Sequence, residues 1–94
     1  MWRESPGRSY AGSLELGPAA LCLDGTADGT REVHEVPYAA LSNVHMAAAR
    51  DRLEGHPTLV IEAGPERRFQ ISAVAGLGVL REVADVLVVA MSGL

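Results

Sequence analysis

Between residues 14 and 72 apolar side chains recur at every second position in short runs, each closed by Gly, Pro, Asp or Thr, and from about Val74 the spacing lengthens to three and four. A period of two marks a strand with one buried face, and a period near 3.6 marks a helix. SLELGPAALCL places Leu14 and Leu16 on one side of a strand and Leu21 and Leu23 on one side of the next, with Gly17 and Pro18 between them. If Leu16 faces Leu21, Leu14 faces Leu23, so a hairpin with a four-residue loop closes both pairs. DGTADGT makes the following turn from residues that reach positive φ or bond their own backbone. REVHEVP is the third strand, YAAL a bend, and SNVHMAAAR the fourth strand, with Val44, Met46 and Ala48 on one face. After the turn DRLEGHP, the strands TLVIEA and RRFQIS are joined by GPE, and pairing Ile61 with Phe69 brings Leu59 opposite Ile71. The spacing then predicts a helix from about Val74 to Met91, with Ser72 as N-cap and Gly93 just past its end.

Six or seven short antiparallel strands followed by one helix exclude a doubly wound fold, which needs a crossover between each strand pair. The expected architecture is mainly β: a strongly bent antiparallel sheet or partly open barrel, capped by the C-terminal helix. Residues 1–10, with Pro6 and Gly7 and no periodicity, read as a flexible arm whose Trp2 docks locally, and residues 11–94 as a single domain. The order of elements, the GSLELG opening strand, the VPYAALSNV segment and the LVIEAGPERRFQIS hairpin leading into a helix together resemble a bacterial pleckstrin-homology-like domain over about residues 10–92. That resemblance implies a protein-interaction module. In members of the family that bind phosphoinositides the loop between the first two strands is basic, but here it reads GPAA, so the headgroup site is not carried over. The tryptophan many eukaryotic members place in the C-terminal helix is also missing from this one.

Composition narrows the function classes. With 94 residues, 48% of them hydrophobic, and a net charge of −4, the chain is globular rather than disordered. All eight basic residues are arginine, and the acidic balance argues against general nucleic-acid binding and against an anionic membrane surface. Cys22 is the single cysteine, which suits a reducing compartment. MWRESPGRSY lacks the apolar core of a signal peptide, and VLREVADVLVVAM is too short and too charged to span a bilayer, so the expectation is a cytoplasmic protein.

Motifs for chemistry are few. Asp24, Thr26, Asp28, Gly29 and Glu35 fall at positions of an EF-hand loop, four of the five with a fitting residue, but the flanking patterns are strands, and Asp-Gly is a common hairpin turn. In AGLGVL, Gly76 and Gly78 resemble a dinucleotide-binding turn, yet Arg81 replaces the third glycine and no repeated crossover accompanies it. Cys22 lies between two inward-facing leucines and so points outward, with no base spaced to activate it. No catalytic residue, metal ligand or cofactor site is assigned, and the chain is read as a non-enzyme. His34, His45 and His56 recur every 11 residues, but strand alternation sends the first two to opposite faces and leaves the third in a turn. Val33 and Val36 both ought to face inward, three positions apart, which predicts a β-bulge at His34 or Glu35. Pairing Val36 with Val44 across the bend would then set His34 against Met46 and Glu35 against His45.

The helix carries the most information. At 100° per residue, Leu77, Leu80, Ala84, Leu87 and Met91 form a core-facing stripe, and Val79, Val83, Val86 and Ala90 form a second apolar stripe beside it. The second stripe is the candidate interaction surface, most simply for a homodimer that buries the same patch twice. An alternative function is a small-ligand or anionic-lipid binding domain at the open barrel end, with Arg50, Arg52, Arg67 and Arg68 as its anionic-ligand rim.

Overall fold

The computed structural model describes residues 1–73 and 77–92. It contains seven strands: β1 (Trp2–Glu4), β2 (Ala11–Leu16), β3 (Ala20–Ala27), β4 (Thr30–Pro37), β5 (Leu41–Met46), β6 (Thr58–Ala63) and β7 (Arg67–Ser72), followed by the helix α1 (Leu77–Met91). Every strand pairing is antiparallel. The strands form a four-stranded sheet in the order β1-β7-β6-β5 and a three-stranded sheet in the order β2-β3-β4, and the two are not closed into a barrel. The chain is therefore mainly β with one closing helix.

Both leucine pairs of the first hairpin form as alternation requires, Leu14 with Leu23 and Leu16 with Leu21. Ile61 pairs with Phe69 and Leu59 with Ile71 in the last hairpin. The inward set from both sheets, Leu21, Leu23, Val36, Leu59, Ile61 and Phe69, is almost wholly removed from water, and burial of this apolar area is the main favourable term in folding. Asp28 and Gly29 turn β3 into β4 with φ of 52° and 79°, the two positive angles a two-residue hairpin loop needs. That connection is the supposed calcium loop, now seen as a hairpin, with Asp24 held by Arg31 in a bidentate pair at 3.0 and 2.7 Å.

Three expectations are corrected. Residues 1–10 are not a loose arm throughout: Trp2–Glu4 add an edge strand to β7, in the register Trp2 to Ile71 and Glu4 to Phe69. The segment shows no period because it is only three residues long, and its one large apolar side chain, Trp2, does the anchoring. The predicted bulge in VHEV is absent, since β4 runs against β3 without a register break and Val33 pairs with Asp24 on the outer face, 49% exposed. A bulge lies instead in β5 between Leu41 and Asn43, where the Ser42 hydroxyl donates to the Glu62 carbonyl at 3.2 Å. Finally, β4 and β5 do not pair. A 3-10 turn at Tyr38–Ala40 carries the chain from one sheet to the other, so Val44 meets Ile61 rather than Val36. Tyr38 fixes that corner by donating its backbone N–H to Ala19 and its hydroxyl to Gly17, both in the first hairpin loop.

The sheets meet near Trp2. Its backbone forms a bridge with Tyr10 just before β2, its ring stacks on that of Tyr10 at 4.8 Å, and its Nε1 donates to the Asp24 carbonyl. Room for the indole comes from Gly25, where an added Cβ would lie 2.9 Å from Nε1 and 2.8 Å from the Tyr10 Cβ. Facing Gly25 on β2 is Gly12, whose added Cβ would come within 1.9 Å of the Asp24 carbonyl oxygen. These two residues are glycine because the strands approach too closely there for any side chain.

α1 packs on β5, β6 and the Tyr38–Ala40 turn. Leu80 and Leu87 are buried, and Val83, Ala84 and Met91 pack against the core. Leu77 departs from the expected core stripe, since it is more than a third exposed at the start of the helix. The predicted start at Val74, the Gly93 stop and Gly76 of the glycine-rich turn lie outside the described residues.

Candidate functional site

Eight large hydrophobic side chains are exposed among the described residues, and five of them, Leu77, Val79, Val86, Val88 and Val89, belong to α1. Burying Leu80 and Leu87 turns the core stripe inward and leaves the valine stripe beside it facing out. Of the four residues assigned to that stripe, Val79 and Val86 are exposed, while Val83 and Ala90 are half-buried along its inner margin. Val89, the most exposed at 64%, was not part of the expected stripe, and neither was Val88. The signal for Val89 lies in its spacing: Val79, Glu82, Val86 and Val89 step by three, four and three, the spacing of a helix seam that meets another helix. Arg81, Asp85 and Ser92 occupy the remaining outward arc.

Beside the first half of α1, where β1 and β2 diverge after their bridge, a cleft of about 340 Å³ opens between the two strands and the helix. Trp2, Leu14, Ile71, Val79 and Val83 form much of its wall. Two of those residues belong to the valine stripe, so apolar surface runs continuously from the helix face into the cleft.

The four arginines assigned to one rim do not converge. Arg67 and Arg68 are successive residues of β7 and therefore point to opposite faces. Arg67 lies on the inner side, over the Phe69 ring at 5.0 Å, with its Nε donating to Glu4 at 2.8 Å. That hydrogen bond holds the Glu4 carboxyl below the usual glutamate range and the Arg67 guanidinium above its own. Arg68 lies on the outer face, where Asp51 approaches it at 3.9 Å and approaches Arg50 at 4.0 Å. Arg52 is exposed on the same connection, between β5 and β6. Arg3, which strand alternation brings to this face, joins the group through Gln70.

The histidines separate as alternation predicts, although their neighbours differ. His34 faces inward, edge-on to Trp2 at 5.5 Å and to Phe69 at 6.0 Å, with Glu4 and Glu32 at 3.9 and 3.8 Å. A shallow depression of about 430 Å³ borders it, with Glu4, Arg8, Tyr10 and Glu32 in its lining. His45 lies outward beside Glu62 at 3.8 Å and Asn43, not beside Glu35, and His56 is in the turn before β6. Among the described residues no three His, Cys, Asp or Glu side chains are grouped closely enough to hold a metal ion. Cys22 points outward and is half-buried, as its position between two inward leucines requires, with Glu15 and Glu35 beside it. Nor is any helix among those residues long and apolar enough to cross a membrane.

Comparison of the chain with protein-family models, with curated proteins and with solved structures finds no match.

Proposed function

We propose that this chain is a non-enzymatic protein–protein interaction module of pleckstrin-homology-like architecture, acting in the bacterial cytoplasm and self-associating through the outer face of α1. The observation that carries the reading is the concentration of exposed apolar side chains on that one helix, because monomers rarely leave so contiguous a patch in water. The seam spacing favours a second copy of the same helix as the partner. In an antiparallel pairing about a two-fold axis near Ala84, Val79 of one protomer comes opposite Val89 of its partner at both ends of the contact, so one patch is buried twice. The cytoplasmic setting accords with the lone, half-buried thiol.

Val86 and Val89 are the residues to change, since Val83 also packs on the core and its loss would confound folding with association. The double substitution V86E/V89E is expected to keep the far-ultraviolet spectrum of the parent and to sediment as a monomer at concentrations where the parent is dimeric. A parent that remains monomeric at all attainable concentrations, or a folded variant that still dimerises, would count decisively against self-association through this face.

A further inference from the structure

Three of the eight arginines are each paired with a different carboxylate: Arg8 with Asp28, Arg31 with Asp24 and Arg67 with Glu4. Arg81 is on α1. The other four, Arg3, Arg50, Arg52 and Arg68, lie on or beside the outer face of the four-stranded sheet. Among the described residues, Asp51 is the carboxylate within ion-pair distance of that group.

Asp51 does not fill the hydrogen-bonding capacity around it. Its contacts to Arg50 and Arg68, at 4.0 and 3.9 Å, are too long for hydrogen bonds, and the buried Nε of Arg68 has no partner. Gln70, nearly buried, fixes the arrangement: its Oε1 accepts from Arg3 Nε, and its Nε2 donates to the Asp51 carbonyl at 2.6 Å. Arg3 and Arg68 therefore lie on the same face of neighbouring hydrogen-bonded strands, Arg3 directly across from Gln70 and Arg68 two residues before Gln70, while Arg50, on the β5–β6 connection, approaches the same Asp51 oxygen as Arg68. Glu62, the cross-strand neighbour of Arg68 on β6, is engaged by Asn43 at 3.2 Å and lies beside His45. Arg50 and Arg68 share the Asp51 carboxylate and Arg3 bonds the neutral Gln70 amide, so on a protein whose net charge is negative the planar forks of all three have donors to spare.

We propose that Arg3, Arg50 and Arg68 form a binding site for a phosphate-type oxyanion, whether a free phosphate or phosphomonoester or the headgroup of an anionic lipid. The rim expected at the open barrel end is thus moved to the outer face of the sheet, with Arg3 replacing Arg67. A tetrahedral oxyanion presents more acceptor oxygens than Asp51 does and can bridge guanidinium groups carried by β1, β7 and the connection. This site shares no residue with the α1 face, so each can fail without the other.

The test is a titration of the ¹⁵N-labelled full chain with inorganic phosphate at constant ionic strength, read as amide shifts, with chloride as the control. Saturable shifts confined to residues near Arg3, Arg50, Arg68 and Gln70 are expected. R50Q should weaken binding about tenfold, and R31Q, on the other sheet, should leave it unchanged. R68Q should abolish binding, and if it fails to fold, R50Q carries the test alone because the Arg50 side chain is 89% exposed. Sedimentation with phosphatidylcholine vesicles containing phosphatidylserine, lost in R50Q, would identify a lipid headgroup as the source of the oxyanion. Saturable phosphate shifts without sedimentation would identify a free phosphate or phosphomonoester. Shifts equal in chloride, no saturable shift at these residues, sedimentation without phosphate shifts, or binding unaltered in R50Q would each overturn the proposal.

Discussion

The Glu4–Arg67 pair shows how a single contact sets a pH response. Arg67 bonds the ionised carboxylate at 2.8 Å, so Glu4 has a lower pKa in the folded protein than its ordinary value of 4.5. The stability this contributes is complete above that value and is lost as pH falls through the folded-state value. Urea midpoints measured from pH 7 to pH 3 should therefore fall less steeply in E4Q than in the parent. The Glu4 side chain is 32% exposed and that of Arg67 42%, so the difference is modest. At this scale the sequence is readable wherever alternation decides a residue's direction, as for Cys22 and the four leucines of the first hairpin. It is silent on Glu4 and Arg67, which lie 63 positions apart and meet only because β1 pairs with β7. Gly12 and Gly25 are also invisible in advance, because a glycine required by backbone approach has the same letter as a glycine in a turn.

At the scale of elements, the local hairpins are legible and the long-range pairings are not. β2 with β3 and β6 with β7 are joined by short loops and carry matched apolar pairs, so register follows from the sequence. β4 and β5 are just as close in sequence, but Tyr38–Ala40 forms a corner between sheets instead of a hairpin turn. The conflict between Val33 and Val36 is resolved by leaving Val33 in water rather than by a bulge. For α1 the two apolar stripes are legible from the angular projection, although Val89 stands out only when the three-and-four spacing is followed. The helix gives a direct comparison of its two faces. L87A should cost about 2 to 5 kcal/mol in chemical denaturation, because it empties a fully buried position, whereas V88S on the outward side should change stability by less than about 0.5 kcal/mol.

For the whole molecule, the two sheets divide the surface into regions of different character. The apolar helix face and its adjoining cleft lie on one flank, and the outer face of the four-stranded sheet, beneath the β5–β6 connection, carries the arginines. The sequence reveals the ingredients of both but gathers the wrong four arginines, because neighbours in a strand face apart and Arg3 lies in a segment with no period to place it. The bridge of Trp2 to Tyr10 and the pairing of β1 with β7 bring chain positions 2–4 against positions 69–71, and this has a kinetic consequence. Closing a loop of that length forfeits far more chain entropy than forming a local hairpin, so residues 2–4 should dock late on the folding route. As the only tryptophan, Trp2 is a natural clock for that event. In stopped-flow refolding, the change in indole emission should lag the far-ultraviolet signal of the hairpins, and simultaneous signals would instead show that the ends of the chain meet as early as its middle.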